Sequence, residues 1–190
     1  MSSQIVGELL GESLQRRLTG GEILLLIEEA SASDLDGMIN KLVRKNIDYQ
    51  RLQNRVDGKQ FAPDDIQHIA EEKSITTLEV LKNLYTDGLE LLTGKSTTII
   101  NREWVDICEE ASFVGLNTLA VMTISNNESC YDRVEKILRL RESQDKTKCY
   151  VGCIVNMLHN DHDDYMKMVS ITKIAFDNLT PLYPNKQMVM

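Results

Sequence analysis

The 190-residue chain carries 21 Lys+Arg against 29 Asp+Glu, a formal net charge of −8, with 42% hydrophobic and 26% charged residues. That composition suits a folded globular domain, and the acidic balance offers no general attraction to nucleic acid or anionic lipid. The longest unbroken apolar run, Ile23–Ile27, falls far short of the roughly twenty residues a membrane helix needs, and residues 1–17 lack the pattern of a secretory signal, so a cytoplasmic protein with no bilayer span is expected.

In chain order, residues 1–45 read as an amino-terminal helical segment: Ile5, Leu9 and Leu10, then Ile23 to Ile27, then Leu35, Met38, Ile39 and Leu42 recur at helical spacing. Residues 46–60 are polar, carry few apolar anchors and read as a connector. Beyond it, Thr76 with Glu79 forms a capping box ahead of Leu78, Leu81, Leu84 and Tyr85, and Gly88 ends that helix. Leu89–Leu92 suits a short strand. Trp104, Ile107, Cys108 and Ala111 then mark a helix closed by Gly115.

Thr118–Ile124 is a continuous apolar run, as expected of a strand covered on both faces. Val134, Ile137 and Leu138 mark the next helix, Tyr150–Val155 another buried strand, and Tyr165, Met168, Val169, Thr172, Ala175 and Phe176 the core stripe of a last helix. This βαβαβα order calls for parallel strands with helical crossovers. A complete eight-unit barrel takes about 250 residues. The expected fold is therefore α/β, a partial (β/α) barrel or an open parallel sheet with covering helices over residues 61–190, preceded by the helical segment.

Several stretches together resemble one family. LRLRESQDKT (Leu138–Thr147) is similar to the LRLRELQDET stretch of the radical S-adenosylmethionine enzymes of futalosine-type menaquinone synthesis. FAPDDIQHIA (Phe61–Ala70), VLKNLYTDGLELL (Val80–Leu92), NREWVDICEEASFVGLNTLAVM (Asn101–Met122) and AFDNLTP (Ala175–Pro181) resemble family segments in the same order. GESL at Gly11–Leu14 and DLDGMINKLVRKNIDY at Asp34–Tyr49 fit its amino-terminal helices more loosely. The resemblance is greatest to the aminofutalosine synthase branch, with cyclic dehypoxanthinyl futalosine synthase also similar. It implies a (β/α) barrel, a 4Fe-4S cluster and S-adenosylmethionine.

The resemblance also exposes a gap. After a segment like NIDY (Asn46–Tyr49) the family carries a C-x3-C-x2-C cluster loop, whereas Gln50–Gln60 contains no cysteine. Three thiolates leave one iron open for S-adenosylmethionine, whose sulfonium receives an electron from the cluster, and no other side chain supplies that electron. CYVGCIVN offers Cys149 and Cys153 at the first spacing but Asn156 in the third place. On a strand these thiols would stand roughly 13 Å apart, too far to share a compact cluster or a disulfide. Cys108, Cys130, Cys149 and Cys153 are thus expected to be free thiols in a reducing compartment. No cofactor and no metal is expected.

Other departures fall on loops after strands, the catalytic side of a barrel. The family's P-G-G-G-A-E corresponds to Thr93–Thr98, so only one glycine, Gly94, survives, Lys95 follows it and the carboxylate becomes Thr98. Its Y-G-H-x-E corresponds to Ile124–Glu128, with Asn126 in place of the imidazole and Glu128 retained. Gly94, Lys95, Thr98, Asn126 and Glu128 are therefore the candidate ligand-binding residues, with helix capping the simpler role for Glu128. No catalytic residue is assigned.

Three further constellations read as structural. TGKST (Thr93–Thr97) ends like a P-loop, but Gly88 stands one residue too far back and Leu89–Leu92 are too bulky. His159–Asp164 has metal-capable side chains, yet it directly precedes a helix, where carboxylates cap free N–H groups. His68 falls on a helix surface beside Ile66 and Ile69. The expected function is that of a truncated or degenerate relative acting by protein association, as a homo-oligomer or with a protein partner through open sheet edges. The alternatives are a menaquinone-pathway enzyme and an adenosine-ligand binding protein.

Overall fold

The computed structural model describes residues 2–39, 59–95, 100–158 and 161–177. Three helices open the chain: α1 (Ser2–Ser13), α2 (Gly20–Glu29) and α3 (Ala32–Ile39). After the connector come α4 (Pro63–Lys73), α5 (Thr77–Thr86), β1 (Leu91–Thr93) and α6 (Arg102–Val114). The chain continues through β2 (Asn117–Ile124), α7 (Cys130–Thr147), β3 (Tyr150–Met157) and α8 (His162–Asp177). The connector expected at 46–60 lies almost wholly outside the described residues.

The expected alternation is present as an open α/β sheet of three parallel strands in the order β1-β2-β3. Leu91 pairs with Asn117, and β2 pairs with β3 from Thr118↔Tyr150 to Ile124↔Met157, with an irregularity between Thr118 and Leu119. β2 is buried on both faces, as its unbroken apolar run requires. Ala120, Met122 and Ile124 join the main helix-covered core, while Leu119 and Val121 lie in a separate cluster with Leu91 and Ile154.

The first strand is shifted from the expected Leu89–Leu92. Gly88 adopts φ 96°, and the Leu89 N–H is consumed by the Leu84 carbonyl at 2.9 Å, so this part of the backbone finishes the helix instead. Leu89 packs under α5 and α6, and strand pairing begins only at Leu91. The Thr76–Glu79 capping box forms, with the Glu79 carboxylate accepting from the Thr76 N–H at 2.9 Å. Gly115 ends α6 with φ 95°.

Helices α1–α3 share the main core with the sheet domain: Val6, Leu10, Ile23, Leu26 and Leu35 belong to the same cluster as Trp104, Met122, Val134 and Phe176. The Leu138–Thr147 stretch on α7 fastens the two parts together. Arg141 donates to the Leu18 carbonyl at 2.8 Å and Asp145 accepts from Arg17 at 2.7 Å, while within the sheet part Arg139 donates to the Ile100 carbonyl at 3.0 Å. Helix α8 is buried further around than an amphipathic stripe predicts, with Ser170, Thr172 and Lys173 enclosed alongside Met168, Ile171 and Phe176. The reason is its position against α2, α3, α7 and β3 at once.

Among the described residues, no helix is long and apolar enough to cross a membrane.

Candidate functional site

The described candidates Gly94, Lys95, Asn126 and Glu128 lie where the carboxyl ends of the strands feed the next connections, the position at which open parallel sheets place their ligands. Gly94 extends β1 by donating its N–H to the Leu119 carbonyl at 3.0 Å. It is a glycine because β2 is so close: an added Cβ would stand 3.0 Å from Val121 N and 3.1 Å from Val121 Cβ. Its place in the sequence therefore answers a packing need, and its backbone donor is already used. Lys95 is exposed and ion-paired with Asp65, whose carboxylate also accepts from the Ala62 N–H at 2.9 Å in the first turn of α4. Thr98 lies outside the described residues.

Asn126 is exposed at the turn after β2. Glu128 is the more informative residue, with a carboxylate side chain only 7% exposed. One oxygen accepts from the Ser125 N–H at 3.1 Å and the other stands 2.6 Å from Lys136 Nζ, which in turn donates to the Thr123 carbonyl at 2.7 Å. The expected helix-capping role of Glu128 needs correction. Ser129 is the N-cap of α7, its hydroxyl accepting from the Asp132 N–H at 3.2 Å, so Glu128 precedes the cap and closes the Ser125–Glu128 turn instead. The physical reason is reach: a residue outside the cap can return to the turn behind it, while Ser129 and Asp132 satisfy the helix start.

The candidates thus turn to different partners, Lys95 to Asp65 and Glu128 to Lys136. With one oxygen hydrogen-bonded to the Ser125 N–H and the other, which makes no hydrogen bond, 2.6 Å from Lys136 Nζ, Glu128 is built into an internal ion pair. Sequence reading missed Lys136, since nothing in its helical context singles it out. It also missed the pair between Arg133 and Asp164, in which one guanidinium nitrogen lies 2.8 and 2.9 Å from the two carboxylate oxygens. That pair joins α7 to α8 and occupies one of the carboxylates of the acidic run. Asp161 caps α8 through the Asp164 N–H at 2.9 Å, and His162 and His68 are exposed. His159 lies outside the described residues. Among the described residues, no three metal-capable side chains gather.

The cysteines occupy interior positions. Cys108 on α6 and Cys153 on β3 are fully enclosed, and Cys149 is nearly so; Cys130 opens α7 and is half-buried. Cys149 stands just before β3 rather than within it, receiving the Thr147 hydroxyl proton at 3.1 Å and pointing its own thiol at the Cys108 carbonyl, 3.8 Å away. Burial raises the pKa of all three enclosed thiols, that of Cys153 to about 12. Burial thus disfavours the thiolate, the form that ligates a metal or attacks a substrate.

Gln144 supplies the remaining polar contact of note. Its side-chain amide donates to the Tyr150 carbonyl at 3.1 Å and accepts from the Tyr150 N–H at 2.8 Å, filling the place a further strand would take beside that residue. The Tyr150 ring lies parallel to Trp104, with centroids 6.2 Å apart. The Leu138–Thr147 stretch that looked most family-specific therefore performs structural work along its length.

No protein-family model matches the chain. Curated relatives do. Cyclic dehypoxanthine futalosine synthase of Halalkalibacterium halodurans is 26% identical over 144 residues, covering 63% of this chain and 39% of that protein. The protein of the same name from Streptomyces coelicolor is 18% identical over 140 residues, covering 60% and 35%. The 5-amino-6-(D-ribitylamino)uracil–L-tyrosine 4-hydroxyphenyl transferase of Methanococcoides burtonii is 28% identical over 101 residues, covering 46% and 28%. The chain spans less than two fifths of the length of these relatives. Over part of its length it is a distant relative of the futalosine synthases and, with them, of the radical S-adenosylmethionine superfamily.

Proposed function

We propose that the chain is a catalytically silent relative of the futalosine synthases, of the aminofutalosine synthase type, that carries no iron–sulfur cluster and acts by protein association. The observation that carries this reading is the placement of its cysteines. A cluster able to bind S-adenosylmethionine needs three thiolates at an accessible loop. Here the sequence between Gln50 and Gln60 has none, and Cys108, Cys149 and Cys153 are packed in the interior. The ion pair of Glu128 with Lys136 supports the same reading, since it gives the retained carboxylate an internal partner. Of the end strands, β1 already gives its Thr93 N–H to the Phe61 carbonyl at 2.9 Å, so β3 is where pairing with a second copy would occur.

The test is anaerobic reconstitution of the purified protein with iron and sulfide, followed by iron counting and an assay for 5′-deoxyadenosine from S-adenosylmethionine under a strong reductant. The expected result is sub-stoichiometric iron and no product. About four irons per chain with reductive product formation would overturn the silent reading in favour of an enzyme. Light scattering after gel filtration tests association separately, with a mass above 21.6 kDa expected across micromolar concentrations and a strict monomer refuting it.

A further inference from the structure

We draw no further inference here: the strongest candidate, the apolar second face of the sheet formed by Leu91, Leu119, Val121, Val151 and Ile154, carries nothing because Leu91, Leu119, Val121 and Ile154 are already buried within the fold and offer no free surface.

Discussion

Replacing Gln144 with Leu tests whether the family-like stretch on α7 is a structural clamp. Gln144 is 1% exposed, and its amide satisfies both the N–H and the C=O of Tyr150, itself 2% exposed. Leu keeps most of the bulk and removes both partners, so two buried backbone groups lose their hydrogen bonds. An orphaned buried group costs about 1–3 kcal/mol, and some relief at the strand end brings the expected loss for the pair to about 3 kcal/mol. For a chain of this length that is a fall in Tm of roughly 6–12 °C. Urea unfolding followed by far-ultraviolet circular dichroism reads the free energy directly. A companion variant, Gln144→Glu, supplies a sign test. Its carboxylate would face the Tyr150 carbonyl, so its folded pKa is raised and the protonated acid is favoured in the native state. Stability of that variant should be poor at neutral pH and recover as pH falls toward about 5, where the acid donates to the carbonyl. A Leu variant within about 0.5 kcal/mol of the parent would refute the clamp.

Gly94→Ala should cost about 1–3 kcal/mol, because the new methyl meets the β2 backbone at Val121 rather than a flexible side-chain tip; an unchanged urea midpoint would reject the close approach of β1 to β2. A thiol reagent at pH 8 should label Cys130 quickly in the native protein and the remaining three cysteines only in denaturant, so rapid native labelling of a second thiol contradicts the interior placement. Glu22, hydrogen-bonded by Arg16 and by the Thr19 N–H, has its pKa pulled down from 4.5 to about 2. Its contribution is therefore complete above about pH 4.5 and is lost as pH falls toward 2. Asp145, held down chiefly by Arg17, acts in the same direction. Glu22→Gln should flatten the acid limb of a stability-versus-pH curve, and an unaltered limb would show that the charge of Glu22 beside Arg16 carries none of it.

The order of helices and strands from Thr76 onward was legible in the sequence because each element declares itself locally. A capping box starts α5, left-handed glycines follow α5 and α6, and mostly apolar stretches make β2 and β3. The absence of cysteine from Gln50–Gln60 is likewise a property of the sequence alone. Tertiary structure decided what the singled-out side chains do, because that depends on partners distant in the chain. Gly94 and Val121 are 27 positions apart, yet their contact gives the glycine its reason. Arg17 and Asp145, 128 positions apart, join the first helices to α7, a bond no periodicity announces. Glu128 looked like a helix cap or a ligand residue, and only the fold brings Lys136 and the Ser125 N–H to its two oxygens. Local propensity needs only neighbours in sequence, while the satisfaction of a buried charge needs the whole surrounding shell, which exists only once the chain has packed.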